Sequence, residues 1–160
     1  RRGGVPNLKE GFEMLKGIPS NVSSALLKAL ADMGHGDTIV IADHFYPAAT
    51  MGAGGIVIDA KGNGTLDMLR SILQLIPLDV EYEEYPVKLM KPDPGFEEKL
   101  KERPALWDAV RETVAACEPQ AGVGFVTRTE FYEHARRAYI TLSTSEEQPY
   151  GCVILQKGVR

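Results

Sequence analysis

Apolar residues recur at helical spacing along two stretches of the chain. The first lies between residues 22 and 33, where the apolar positions fall three or four residues apart and therefore share one face of a helix. These positions are Val22, Leu26, Ala29, Leu30 and Met33. Capping side chains precede the stretch at 19–21 and Gly34 follows it, which predicts a helix over 22–33. Residues 65–76 repeat the pattern and end at Pro77, which predicts a second helix.

Short runs of adjacent apolar residues predict strands. Residues 38–42 are apolar and largely β-branched, as is typical of a strand buried on both faces in a sheet that helices cover. Residues 55–59 form a second run of this kind. The strand pattern returns in the last third of the chain, at 122–126, 138–143 and 150–155. Alternating helices and strands of this length indicate an α/β protein.

The middle of the chain interrupts this alternation. Residues 78–95 are acidic and contain three prolines, so we expect a long connection that packs against the body or a neighbouring subunit, with a candidate short strand at 86–90. Residues 96–117 have helical spacing that Pro104 interrupts, which predicts a broken or two-part helix. Residues 127–130 form a capping box at the start of a short helix. Arg128 therefore lies where a strand meets a helix.

Length and charge narrow the class of protein. A chain of 160 residues suits one domain with a real core and is too short for two ordinary ones. We assign that domain to residues 14–160 and expect residues 1–13 to be an N-terminal extension, a cloning remnant or part of an upstream coding region. The net charge of -4 argues against non-specific nucleic-acid binding. No stretch is typical of a signal peptide or a membrane span, and two cysteines without CxxC spacing fit a reducing cytoplasm.

The first candidate catalytic residue is His35, which lies between two glycines just before the strand at 38–42. We expect a histidine between glycines to be exposed, and histidine is the side chain most suited to acid and base chemistry at neutral pH. Asp43 ends the same strand, at the edge of an α/β sheet where ligands bind, and we expect His35 to join it at that edge. An ordinary loop histidine beside a strand-end cap is an equal alternative. His35 and Asp43 form a candidate site together with Arg128, Tyr132 and Tyr150. These side chains suit an uncharged polyhydroxylated ligand, although each tyrosine alone also fits a packing role.

Other motifs carry less weight. The glycine-rich residues 51–55 open a strand instead of following one, so they indicate a turn and not a phosphate loop. We expect His134 on a helix surface. His44 follows Asp43 but points to the opposite face of an extended chain, so it is a candidate only for an indirect role. The sequence contains no HExxH motif, no nucleophile elbow and no ligand cluster typical of a metal site, and we expect neither a metal nor a cofactor.

Motifs at both ends of the chain resemble the L-fucose mutarotase and D-ribose pyranase family. The matching segments are 15–19 (LKGIP), 26–27 (LL), 33–37 (MGHGD), 42–48 (ADHFYPA), 131–135 (FYEHA), 137–139 (RAY) and 150–159 (YGCVILQKGV). The resemblance spans about residues 14–160 and is specific at both ends, while residues 52–121 agree mainly in pattern. It implies a single-domain, three-layer α/β/α fold around a central mixed or mostly parallel sheet.

The resemblance also implies roles for particular residues. The family's catalytic histidine falls on His35 and its sugar-binding aspartate on Asp43. Arg128, followed by residues 131–133, resembles the fucose branch, since the ribose branch has a histidine in place of the arginine. The sequence therefore favours fucose over ribose.

Three further site residues follow from the closing motifs. Tyr132 is expected to complete the proton relay, and Tyr150 to contact the sugar. Cys152 replaces an asparagine that the family usually carries two residues after the tyrosine, so the amide that would touch the sugar is missing. This departure leaves the preferred sugar open.

The activity that the resemblance implies is that of a cofactor-independent isomerase. It would interconvert the α and β anomers of a monosaccharide, L-fucose above all, while His35 exchanges a proton at the ring oxygen or the anomeric hydroxyl. A ribose-type pyranase, a mutarotase for another sugar and a non-catalytic monosaccharide-binding protein stay open as alternatives. The family also implies a homo-oligomeric ring, commonly a decamer of two stacked pentamers, with sugar sites at subunit boundaries.

Overall fold

The computed structural model describes residues 14–160, and the expectation for residues 1–13 lies outside them. Its elements are, in chain order, α1 (Ser24–Asp32), β1 (Thr38–Ala42), α2 (Ala48–Met51), β2 (Ile56–Asp59), α3 (Thr65–Leu73), β3 (Val87–Lys91), a 3₁₀ turn (Glu97–Lys99), α4 (Ala105–Cys117), β4 (Val123–Thr127), α5 (Arg128–Ala135), β5 (Ile140–Ser143) and β6 (Val153–Gln156). None of the described helices combines the length and the apolar character that a membrane crossing requires.

One mixed sheet organises the described residues. Its strand order is β2-β5-β1-β6-β3-β4. Strand β5 runs parallel to both β1 and β2, and β3 runs parallel to β4. Strand β6 joins the two parallel groups and is antiparallel to β1 and to β3. The predicted mixed or mostly parallel sheet is confirmed, and β1 lies in its interior.

Helices cover both faces of the sheet because β1 and its neighbours are apolar on both sides. One core cluster joins Ile39 and Ile41 of β1 to buried residues of α1, α3 and α4. The other joins Val40 and Ala42 to α2 and to Phe131 of α5. Adjacent strand residues point to opposite faces, so the continuous apolar run of β1 serves both clusters. The expected three-layer α/β/α fold is confirmed.

The segment expected to be a connection contributes a strand to the sheet interior. Val87 and Leu89 of β3 are fully buried, and the strand pairs with β6 on one side and with β4 on the other. The candidate short strand at 86–90 is therefore confirmed as β3, and its alternate apolar positions pack in the core because their partner strands come later in the chain. Pro104 directly precedes α4 and separates it from the 3₁₀ turn, which confirms the two-part helix.

The first helix begins later than its pattern suggests. Ser23 is its N-cap, with Oγ accepting a hydrogen bond from the Leu26 N–H at 3.1 Å. The capping residues expected at 19–21 were therefore placed too early. Asn21 serves a tertiary contact instead, because its Oδ1 accepts a hydrogen bond from the Ser71 hydroxyl at 2.6 Å. A side chain already engaged with α3 does not cap α1.

Candidate functional site

A pocket of about 290 Å³ opens at the carboxyl edge of the sheet. Strands β1, β3 and β4 point the same way, so the residues at their carboxyl ends meet there with the start of β6. The lining residues are Asp43, Phe45, Tyr46, Met90, Arg128, Tyr132, Pro149, Tyr150 and Cys152. Five of the six predicted site residues are thus brought together, and His35 is not among them. The volume is close to the lower limit of the range for ligand sites, roughly 300–1,000 Å³, and suits a small ligand.

The Asp43 carboxyl group is tied to two segments of the chain. Oδ1 accepts hydrogen bonds from the N–H groups of Phe45 and Tyr46, both at 3.0 Å. Oδ2 accepts one from the Gly151 N–H at 3.2 Å. The side chain is buried, and burial raises the pKa of Asp43 above its ordinary value despite these hydrogen bonds. A carboxyl group with a raised pKa at a pocket wall is a candidate for orienting hydroxyl groups or exchanging protons.

Cys152 forms a neutral part of the pocket wall. Its side chain is almost fully buried, and its Sγ accepts a hydrogen bond from the Asp43 N–H at 3.3 Å. Burial raises the pKa of this thiol well above its ordinary value. Because the thiolate is the reactive form of cysteine, Cys152 is not suited to nucleophilic chemistry. It contributes shape and an apolar surface.

Arg128 and Tyr132 form a coupled pair on α5. The Arg128 Nη2 donates to the Tyr132 hydroxyl oxygen at 3.2 Å, and the guanidinium carbon lies 4.5 Å from the centre of the tyrosine ring. A phenol that accepts from arginine keeps its own proton for donation to a ligand. The pair can therefore offer both a fixed positive charge and a hydroxyl donor.

The loop after β3 fixes the start of α5. Asp93 accepts hydrogen bonds from the N–H and the hydroxyl group of Thr129, both at 2.9 Å. Thr127 caps the same helix, because its Oγ1 accepts from the Glu130 N–H at 3.2 Å. The threonine half of the predicted capping box is confirmed, whereas Glu130 Oε1 accepts from the Thr127 hydroxyl at 2.9 Å and not from its backbone N–H. The cap sets the position of Arg128.

Two tyrosines of the pocket are conformationally or chemically unusual. Tyr150 has a φ of 55°, and it is the one non-glycine residue of the described part with a positive φ. Tyr46 is 8 % exposed, and its hydroxyl has no hydrogen-bond partner among the described residues. Burial, and then the nearby Cys152, Tyr132 and Asp43, raise the pKa of the Tyr46 phenol. The phenol therefore stays protonated in the neutral pH range.

His35 lies at the opposite end of β1. Five residues of extended chain, which rise about 3.3 Å each, separate it from Asp43, so its imidazole cannot reach the pocket of the same copy. The expectation that His35 and Asp43 share one edge of the sheet was wrong for a single chain. The physical reason is simple, because one residue precedes the strand and the other follows it.

The partner of His35 is a buried carboxylate. The His35 Nε2 lies 3.2 Å from Asp79 Oδ2, with the imidazole 34 % exposed and the carboxylate 2 % exposed. Its ring centre is 5.1 Å from that of Tyr82. A histidine whose Nε2 contacts a carboxylate is fixed in orientation and can use Nδ1 for proton exchange. His35 therefore has the surroundings of an oriented base on an open surface.

Hydrogen bonds hold Asp79 in its ionised form. Its Oδ1 accepts from the N–H groups of Glu81 and Tyr82 at 3.3 and 3.1 Å, and its Oδ2 from the Gln156 amide at 3.1 Å. Burial alone would raise the pKa of Asp79, but these hydrogen bonds and the charge of His35 outweigh it and lower the pKa below the ordinary value. Asp79 was missed in the sequence because it lies 44 residues from its partner, in a loop without periodicity.

The remaining histidines belong to neither group, although His134 lines a cavity of about 360 Å³ with Gly36, Asp37 and Gln156 near the amino end of β1. His44 is exposed, its backbone N–H donates to the Glu146 carbonyl at 2.8 Å, and its ring meets Phe45 at 5.4 Å. His134 is half-buried on α5 and not fully on the surface. In residues 14–160 no group of three His, Cys, Asp or Glu side chains could hold a metal ion.

Comparisons with known proteins agree on one family. The model of the RbsD / FucU transport protein family matches residues 16–160. The human protein named fucose mutarotase is 38 % identical over 146 residues, which cover 91 % of this chain and 94 % of the relative. The crystal structure of FucU from Bifidobacterium longum superposes with a TM-score of 0.84 at 37 % identity and covers 91 % of this chain and 99 % of that one. The fucose mutarotase of Streptococcus pneumoniae in complex with L-fucose has a TM-score of 0.81 at 35 % identity, with the same coverage.

Proposed function

The chain belongs to the RbsD / FucU transport protein family, and on that premise we propose that it is a monosaccharide mutarotase whose preferred substrate is L-fucose. The observation that carries the proposal is the pocket in which Asp43, Arg128, Tyr132 and Tyr150 converge. A carboxyl group, a guanidinium and two phenols can bind hydroxyl groups, and aromatic rings can cover an apolar sugar face. The names of the human and streptococcal relatives support fucose.

The apolar side of the pocket also favours a deoxy sugar. Phe45, Met90 and Pro149 line the same cavity as the polar groups, and Cys152 adds a neutral thiol. L-Fucose is a 6-deoxyhexose with a methyl group where other hexoses carry a hydroxymethyl group. A methyl group loses nothing by leaving water for such a wall, whereas a hydroxyl without a partner would be penalised.

Mutarotation needs two proton transfers and no covalent enzyme intermediate. A proton leaves the anomeric hydroxyl while another reaches the ring oxygen, and the roles reverse when the ring closes on the other face of the aldehyde. We assign proton exchange to His35 and to the Tyr132 phenol, and binding of sugar hydroxyls to Asp43, Arg128 and Tyr150. Positioned acid and base groups contribute about 10²–10⁴-fold, which is useful for a reaction that already proceeds in water.

The base and the pocket lie at opposite ends of β1, so we propose that they meet between copies. His35 of one copy, oriented by Asp79, would complete the pocket of the next. Such a contact joins two different surfaces and is therefore head-to-tail, which closes into a ring when the rotation permits. A decamer of two stacked pentameric rings is the assembly we propose. We also propose that it works in the cytoplasm, since neither described cysteine forms a disulfide and both suit a reducing compartment.

Nuclear magnetic resonance exchange spectroscopy tests the proposal directly. The protein is added to L-fucose, D-ribose, D-galactose and D-glucose, and the rate of anomer exchange is measured for each. We expect the largest acceleration for L-fucose. Faster exchange between the pyranose and furanose forms of ribose would favour the ribose-type alternative, and binding without any exchange would contradict an enzymatic role.

A further inference from the structure

Tyr150 holds a backbone conformation that needs support from outside its own turn. Its φ of 55° lies in the left-handed region, where a residue with a bulky side chain is rare. Such conformations persist only where surrounding contacts enforce them, and they cluster at functional sites. Tyr150 lines the pocket, so the contacts that enforce its conformation also determine the shape of the pocket.

Both ends of the peptide unit between Tyr150 and Gly151 are held by side chains. The carbonyl oxygen of Tyr150 accepts a hydrogen bond from the Trp107 indole Nε1 at 3.0 Å. The N–H of the same peptide unit, which belongs to Gly151, donates to Asp43 Oδ2 at 3.2 Å. Rotation of this peptide plane would break both hydrogen bonds together. The indole and the carboxyl group therefore fix the plane from opposite sides.

Helix α4 anchors the turn at a second point beside the indole. The Leu106 N–H, in the first turn of α4, donates to the Gln148 side-chain oxygen at 3.1 Å. Trp107 is the next residue, is buried, and belongs to the core cluster on the face that α1, α3 and α4 cover. It does not line the pocket. Trp107 thus reaches Tyr150 from the opposite layer of the molecule.

We propose that Trp107 is a positioning residue for sugar binding. Its indole N–H locks the peptide plane after Tyr150 and so holds the tyrosine in the pocket wall. The identity of the ligand rests on the proposed function, whereas the effect on the Tyr150 backbone does not. Trp107 is the single tryptophan of the chain, so the indole fluorescence of the protein comes from this residue alone.

The test compares Trp107→Phe with a packing control. Trp107→Phe keeps an aromatic ring and removes the N–H donor, while Phe125→Leu trims the ring that lies 4.8 Å from the indole and leaves the hydrogen bond in place. We expect Trp107→Phe to weaken L-fucose binding by about fivefold to tenfold, the equivalent of one hydrogen bond. We expect kcat to stay within about twofold of wild type. Phe125→Leu should leave the Kd within about twofold.

A double-mutant cycle separates positioning from general loosening. If Trp107 acts through Tyr150, Trp107→Phe should have no further effect on the Kd in a Tyr150→Ala background. An undiminished effect in that background, a wild-type Kd for Trp107→Phe, or equal losses for Trp107→Phe and Phe125→Leu would each overturn the proposal.

A crystal structure of Trp107→Phe keeps this test independent of the proposed function. We expect Tyr150 to leave the left-handed region in that variant, and an unchanged Tyr150 backbone would overturn the positioning role. Failure of the wild-type protein to bind any monosaccharide would refute the proposed function alone, because the crystallographic comparison does not involve a sugar.

Discussion

At the carboxyl end of β1, Asp43 is buried in the wall of a pocket and accepts three backbone hydrogen bonds. At the amino end, His35 stands on an open surface, one third exposed, beside a Tyr82 side chain that lies mostly in solvent. The first region has groups that can bind a small polar ligand, and three of its titratable groups, Asp43, Tyr46 and Cys152, are buried. The second has an oriented imidazole, and the cavity of about 360 Å³ beside it is lined by Gly36, Asp37 and Gln156 but not by His35.

In the proposed mechanism, sugar binding at Asp43 and proton exchange at His35 need different surroundings. A binding wall gains from enclosure, because buried hydrogen bonds are geometrically fixed. A base that must approach its substrate across a subunit boundary has to remain accessible until the boundary forms. Each end of β1 meets one of these requirements, and a second copy of the chain would bring them together. The predictions below test this division, beginning with the largest effect.

Removing the imidazole should abolish most of the catalysis and leave the pocket intact. We expect His35→Ala to slow anomer exchange about 10²-fold or more, as is typical for loss of a positioned acid–base group, while L-fucose still binds. Saturation transfer measures the rate and calorimetry measures the binding. His134→Ala is the matched control, because that histidine lies on α5 outside the proposed relay and should leave the rate unchanged. Near wild-type exchange in His35→Ala would contradict the assignment.

A mixture of two variants, each expected to be inactive alone, tests whether His35 of one copy completes the pocket of another copy. His35→Ala keeps an intact pocket, and Arg128→Ala keeps an intact histidine. If sites form head-to-tail between copies, random mixed rings should recover about a quarter of the wild-type rate, since half of the pockets are intact and half of those face an intact histidine. No recovery after refolding the two variants together would show that the ends do not cooperate between copies.

The Tyr132 phenol tests whether the pocket end takes part in proton exchange at all. Tyr132→Phe removes the hydroxyl that accepts from Arg128 and preserves the ring that meets Tyr46 at 5.4 Å. We expect exchange to slow by about tenfold to hundredfold, the range of a single proton-transfer group, with a smaller change in Kd. An unaltered rate would reduce Tyr132 to a packing role and leave proton exchange to His35 alone.

Sequence pattern predicted the carboxyl end better than the amino end. Asp43 and Arg128 were predicted because strand endings and helix caps are local signals that five to twelve residues define. Asp79 was not predicted, because its contact with His35 joins residues 44 positions apart. The contact also depends on how the loop that carries Asp79 packs against the end of β6. The opposite placement of His35 and Asp43 could have been predicted, since any residues that flank a strand lie at its two ends.

Asp79→Asn removes the negative charge of the carboxylate beside His35 and tests how much that charge stabilises the folded protein. The pKa of Asp79 lies below the ordinary value of 3.8, so its ionised form stabilises the folded state at pH values above that figure, and the contribution disappears as the pH falls through the lowered pKa. We therefore expect wild type to be more stable than Asp79→Asn in urea at pH 6, with a smaller difference at pH 3. An unchanged difference would show that the charge contributes nothing.

The same variant should also affect the rate. Without the carboxylate, His35 loses the partner that orients its ring, and we expect anomer exchange at pH 7 to slow about fivefold, the equivalent of one hydrogen bond. Gln156→Leu is the matched comparison, because it removes one donor to Asp79 and keeps the contact between Asp79 and His35. It should lower the rate less than Asp79→Asn does, and the reverse order would place the effect in the loop and not in the imidazole.

The smallest expected effect is on stability and comes from the hydroxyl group of Tyr46, at the carboxyl end of β1. The Tyr46 hydroxyl is buried without a partner among residues 14–160, and an unsatisfied buried hydroxyl costs stability. Tyr46→Phe should therefore raise the free energy of unfolding by about 1 kcal/mol, measured in urea. Because the raised pKa keeps the phenol protonated, the gain should be the same at pH 6 and pH 8. A loss of stability would mean that an ordered water satisfies the hydroxyl, and the enclosed end would then have a complete polar network.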